Sequence, residues 1–168
     1  MISAGGLSQI NARLPMLVFM GSVKQAPKEH RPTAAAQSAP GSPVIIIVDD
    51  DFAVRNSLAF VLTEEGFVVR TYCSAEMLLD GALAGDASCL VIDQKLPGLS
   101  GLGLVDELRR RDVSAPVILI TTGPTAQVRR EAAAAGIAIV EKPLIGDALF
   151  HEIYLNLARS SEPRGAGG

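Results

Sequence analysis

Three adjacent carboxylates, Asp49-Asp50-Asp51, close a run of five β-branched residues, Val44-Ile-Ile-Ile-Val48. A second apolar run, Cys89-Leu-Val-Ile, ends in Asp93, and a third, Val117-Ile-Leu-Ile, ends in Thr121. An apolar core does not tolerate adjacent anions, so these groups belong just beyond the ends of buried strands. Carboxylates gathered at a few ångströms repel, and without a counter-charge at least one has its pKa raised. A hard divalent cation resolves the repulsion. Mg²⁺ fits best, because it accepts one or two carboxylates, keeps several waters and leaves positions for phosphate oxygens, whereas an all-protein oxygen cage suits calcium. No histidine stands near these residues, which argues against zinc. Lys142 adds an ammonium and Thr121 a hydroxyl. A cation, an ammonium and a hydroxyl around a carboxylate describe a phosphoryl-binding constellation. Singly, each piece has a plain structural explanation, such as an Asp capping a helix or a Lys on the surface before Pro. The joint spacing is what carries the chemistry.

Strands with uninterrupted β-branched runs are buried on both faces and belong in a parallel sheet. Between them the sequence reads as helices. Val54, Leu58, Val61 and Leu62 recur at i, i+4, i+7 and i+8, with Gly66 placed to end that helix. Phe67 to Thr71 reads as a second strand, Ser74 as the N-cap of a helix over Ala75 to Leu83, and Gly85-Asp-Ala as a turn into the third strand. A loop over Pro97 to Gly101 leads into a helix through Arg111, and Pro116 opens the fourth strand. A fourth helix runs over Ala126 to Ala135 and stops at Gly136; Ile137 to Val140 is the fifth strand, and Ile145 to Leu157 the last helical face. Five such units predict an α/β fold: a doubly wound five-stranded parallel sheet of order 2-1-3-4-5, flavodoxin-like, with right-handed crossovers. In that order strands one and three flank the switch crevice, and Asp49, Asp50 and Asp93 meet there. Asp93, at the end of the central strand, is the expected phosphoacceptor.

Composition sets the limits. The 168 residues, 48% of them hydrophobic, suit one well-cored domain plus tails. Net charge is −3, but Arg13, Lys24, Lys28 and Arg31 against Glu29 leave +3 on residues 1–43 and −6 on the rest. An acidic domain is a poor nucleic-acid binder. Two cysteines, Cys73 and Cys89, are too few for a disulfide scaffold or a zinc site and read as small buried residues. The apolar run Leu14 to Met20 is too short to span a membrane, and Pro15 interrupts it. Residues 1–43 lack hydrophobic periodicity and are expected to form a flexible leader, 44–159 the folded domain and 160–168 a mobile tail. A cytoplasmic location without membrane contact is the corresponding expectation.

Residues 44–159 resemble the receiver domain of two-component response regulators. The resemblance rests on Asp49-Asp50, on Asp93 within Val91-Ile-Asp-Gln-Lys-Leu-Pro-Gly-Leu-Ser-Gly101, on Thr121 and on Lys142-Pro143. Ile47 to Asp51, Val54-Arg55 and Ser57 to Phe60 are particularly similar to receivers of the nitrogen-fixation regulator class. The resemblance implies a phosphoprotein of signal transduction in which Asp93 takes a phosphoryl group from a histidine kinase or a histidine phosphotransfer protein in a phosphorelay. It implies that Asp50, Asp93 and the backbone carbonyl of Lys95 bind Mg²⁺, with Mn²⁺ as a substitute, while Asp49 assists through water. Thr121 and Lys142 would contact phosphoryl oxygens, and the Lys142-Pro143 bond would be cis. Ile139 stands where the family usually carries Tyr or Phe. The expected protein is then a response regulator without an output domain, not an enzyme, signalling through contacts with a downstream protein or a phosphorylation-dependent homodimer. One alternative is a degenerate receiver used for docking, dimerisation or as a phosphate sink; another is a haloacid-dehalogenase-type phosphatase with Asp49 as nucleophile.

Overall fold

The computed structural model describes residues 41–81 and 84–161. The expected leader, save its last three residues, and the expected tail, save its first two, lie outside them. Five strands, β1 (Val44–Val48), β2 (Val68–Tyr72), β3 (Cys89–Asp93), β4 (Val117–Thr121) and β5 (Ala138–Glu141), pair in parallel in the order β2-β1-β3-β4-β5. Five helices alternate with them: α1 (Phe52–Glu64), α2 (Ala75–Asp80), α3 (Gly101–Arg110), α4 (Ala126–Ala134) and α5 (Ala148–Ser161). The sheet order is the one expected.

Strand side chains alternate faces, and this divides the core in two. Ile46, Val48, Leu90, Ile92 and Leu119 pack against Leu78 of α2, Leu104 and Leu108 of α3 and Ala132 of α4. Ile45, Ile47, Val91, Ile118 and Ile120 pack against Leu58 and Leu62 of α1 and Leu149 and Ile153 of α5. Each fully buried Ile or Leu stabilises the fold by about 1.5–3 kcal/mol. Exposed ion pairs such as Arg70–Asp86 contribute about 0–1 kcal/mol. Apolar burial therefore holds the strand ends in place.

Several expected boundaries move, two of them because an apolar residue closes a helix instead of opening a strand. At the end of α1 the N–H of Phe67 donates to the carbonyl of Leu62 at 3.1 Å and that of Gly66 to Thr63 at 2.9 Å, with Gly66 at φ +90°. This is a Schellman cap, whose last residue is commonly apolar. Ile137 does the same to Ala132 at the end of α4, where Gly136 has φ +65°. Phe67 and Ile137 thus belong to helix caps, and β2 and β5 each begin one residue later than expected. The second helix ends at Asp80 instead of Leu83, and the last begins at Ala148, because Gly146 at φ +73° breaks the chain direction after Ile145. Cys89 is buried as expected, and burial pushes its thiol up to about 12. Cys73 is exposed, contrary to expectation, because it follows edge strand β2 before α2 begins.

Candidate functional site

The site lies where β1, β3 and β4 end together. Register pairs Val48 with Ile92 and Asp93 with Ile120, so Asp49, Asp93 and Thr121 leave three neighbouring strands at one level. All three are buried: Asp49 is 0% exposed, Asp93 4% and Thr121 1%. Lys142 arrives from just beyond β5. Its N–H donates to the Thr121 carbonyl at 2.8 Å, continuing the β4–β5 ladder, and its peptide bond to Pro143 is cis.

Two buried carboxylates side by side need a counter-charge, and Lys142 supplies it. Its Nζ lies 2.8 Å from Asp49 Oδ2 and 2.6 Å from Asp93 Oδ1. Their remaining oxygens are met by backbone donors: the N–H of Asp51 to Asp49 Oδ1 at 2.9 Å and the N–H of Lys95 to Asp93 Oδ2 at 2.6 Å. Burial raises the pKa of Asp49 above the usual carboxylate value, with the Lys142 hydrogen bond acting against it. Burial would lower that of Lys142, but hydrogen bonds from its ammonium to Asp49 and Asp93 outweigh this and leave it raised.

Asp51 turns away from the crevice and caps α1. Its carboxylate accepts the N–H groups of Ala53 at 2.7 Å and Val54 at 3.2 Å, which holds its pKa down. Asp50 is exposed. Among the described residues two buried side-chain polar atoms have no hydrogen-bond partner, Asn156 Nδ2 on α5 and, in this site, Thr121 Oγ1. Such a group costs about 1–3 kcal/mol. Most buried hydroxyls are satisfied, so an unpaired one calls for an explanation.

Among the described residues no three acidic, histidine or cysteine side chains surround a common point as a ready-made metal cage. The expected convergence of Asp49, Asp50 and Asp93 is therefore modified: Lys142 stands between two of them, and the third faces solvent. The donor set nevertheless suits Mg²⁺. It offers hard oxygens only, and three carboxylates against one ammonium leave an excess of negative charge.

Two residues quoted above for the resemblance, but given no role in the site, also shape it. Arg55 donates through Nη1 to the Asp49 carbonyl at 2.6 Å; its one sequence signal is a cation in the first turn of a helix, where anions are preferred. Gly101 opens α3 so close to β3 that a Cβ there would lie 2.5 Å from the Asp93 carbonyl oxygen. Any side chain would push the helix off the residue it supports.

Residues 45–154 match the family described as the response regulator receiver domain. The transcriptional regulatory protein FixJ of Azorhizobium caulinodans is 38% identical over 124 residues, covering 73% of this chain and 59% of that protein. FixJ of Rhizobium meliloti is 40% identical over 98 residues, covering 58% of this chain and 48% of that one. Full-length FixJ from B. japonicum superposes with a TM-score of 0.64 at 30% identity, covering 71% of this chain and 59% of that structure. The chain thus spans about half the length of the curated relatives it matches.

Proposed function

This chain belongs to the response regulator receiver family, and from that membership and the geometry of its site we propose that Asp93 accepts a phosphoryl group from a histidine kinase or a histidine phosphotransfer protein. The observation that carries the reading is the unpartnered, buried Oγ1 of Thr121. A hydroxyl left without an acceptor beside a carboxylate gains a charge-assisted hydrogen bond once an oxyanion is built on that carboxylate.

In the proposed step an oxygen of Asp93 attacks the phosphorus of a phosphohistidine. The new O–P bond forms as the P–N bond breaks, and the imidazole, already protonated on its other ring nitrogen, leaves as the neutral base. Lys142, now shared between Asp49 and Asp93, turns its ammonium to a phosphoryl oxygen, and Thr121 donates to another. Asp50, Asp93 and the Lys95 carbonyl would hold Mg²⁺, with Asp49 supporting it and Mn²⁺ able to replace it. When bound, the cation offsets the charge of three carboxylates and an incoming anion. Both Asp49 and Asp93 are buried with both oxygens engaged, so the choice of Asp93 over Asp49 as the nucleophile is supported by membership of the receiver family. The domain is read as residues 44–159, a signalling module that acts through protein contacts. Among the described residues no helix is long and apolar enough to cross a membrane.

Beryllofluoride, a phosphoryl mimic, tests the role of the hydroxyl. Thr121→Val removes an unsatisfied buried polar group, so the free domain should melt at the same or a higher temperature. The same substitution should weaken beryllofluoride binding in Mg²⁺ by about tenfold, the value of one hydrogen bond to a charged group. Unchanged binding would remove Thr121 from the site.

A further inference from the structure

Arg55 closes the first turn of α1, where the helix dipole disfavours a cation. It is held there by two contacts. Nη1 donates to the Asp49 carbonyl oxygen at 2.6 Å, and the guanidinium carbon lies 5.7 Å from the centre of the Phe52 ring. That carbonyl is half of the peptide group joining Asp49 to Asp50.

The rest of the β1–α1 loop is pinned as well. The N–H of Asp49 donates to Tyr72 O at 3.2 Å, the N–H of Asp51 to Asp49 Oδ1 at 2.9 Å, and the Asp51 carboxylate caps the helix. Asp50 is the exception, an exposed carboxylate whose direction is set only by the backbone on either side of it. On its N-terminal side that restraint is the guanidinium of Arg55.

We infer that Arg55 is a positioning residue for the divalent cation: it fixes the peptide between Asp49 and Asp50 and so holds the exposed Asp50 carboxylate at the mouth of the crevice. The inference rests on the reading of Asp50 as a metal ligand. It differs in sign from what charge alone gives. A guanidinium beside a cation site repels the cation, so removing it would tighten Mg²⁺ binding if charge were its only effect. If Arg55 acts by position, removing it weakens binding, because groups that orient metal ligands are worth tenfold or more in affinity.

Calorimetric titration of the full chain with Mg²⁺ at fixed ionic strength separates the two. Arg55→Met should weaken Mg²⁺ about tenfold. Arg55→Lys, which keeps the charge and one donor, should fall between it and the wild type. Phe52→Leu leaves Arg55 in place but removes the ring beneath its guanidinium, so it should shift affinity the same way by a smaller factor, and it covers the case in which Arg55→Met fails to fold. Equal or tighter binding by a folded Arg55→Met protein overturns the inference while leaving the Asp50 reading intact, as does wild-type affinity in both Arg55→Lys and Phe52→Leu. A wild-type chain that binds no Mg²⁺ overturns the Asp50 reading, and the inference falls with it.

Discussion

Asp49 is the residue on which the opposing forces in the site are easiest to weigh. Burial raises its pKa even though an ammonium and a backbone N–H face it, so the charged form is costly where it stands. The folded domain holds that proton more tightly than the unfolded chain does. Its contribution to stability is therefore present below the ordinary carboxylate value and is lost as pH rises through the raised one. Lys142 behaves differently: its stabilising contribution persists through neutral pH and disappears only as pH rises past its own raised value. Asp49→Asn should accordingly raise the melting temperature at pH 7, and the gain should shrink as the pH is lowered to 4. About 1 kcal/mol would appear as roughly 2–8 °C for a domain of this size. Thermal melts at the two pH values check this, and an unchanged or lower melting point at pH 7 would contradict it. Asp49, Asp93 and Thr121 were legible in the sequence because each ends, or directly follows, an apolar strand run, and Lys142 because it stands one residue beyond the fifth. Arg55 was not, because its contact is with a backbone carbonyl six residues away, and no side-chain type announces that.

Among the elements, three helices end in the same way, and the variation among them is informative. Gly66 and Gly136 occupy the left-handed position after α1 and α4, and Asp112 occupies it after α3 at φ +61°. The N–H of Val113 donates to Leu108 O at 3.0 Å and that of Asp112 to Arg109 O at 3.1 Å, completing the cap. A left-handed conformation costs an L-residue roughly 1–2 kcal/mol that glycine largely avoids. Asp112→Gly should therefore stabilise the domain, by about 0.5–1 kcal/mol once glycine's greater unfolded-state freedom is subtracted. A chemical denaturation series would read this as a higher midpoint at unchanged slope, and a lower midpoint would show that the aspartate has a compensating partner. The same caps explain what the sequence concealed about strand limits. Phe67 and Ile137 are apolar residues immediately before strands, and periodicity alone cannot tell a residue that closes a helix from one that opens a sheet. Strand identity and order were legible, since β-branched runs separated by helical periods admit few topologies.

For the whole molecule the question is how a change at the strand ends would reach a partner. The α4–β5 edge carries an ion pair, Arg129 Nη2 to Glu141 Oε1 at 2.6 Å, and Glu141 immediately precedes Lys142. Ile139, like Val128 of α4, is half-buried against the core, and an aliphatic side chain there has no ring or hydroxyl to relocate. A movement of Thr121 and Lys142 toward a phosphoryl group would thus pass into β5 through the Thr121–Lys142 backbone bond and from there to α4. Amide shifts on adding beryllofluoride should extend over α4 and β5, consistent with a coupling of about 5- to 150-fold in partner affinity. Shifts confined to the neighbourhood of Asp93 would instead indicate a phosphate sink. The central claim has a more direct test. After incubation of the intact protein with acetyl phosphate and Mg²⁺, mass spectrometry should find one acid-labile phosphoryl group. It should lie on the peptide containing Asp93, be abolished by EDTA and be absent from Asp93→Asn. Phosphorylation of Asp93→Asn at the wild-type rate, with loss in Asp49→Asn, would contradict the assignment of Asp93 as acceptor.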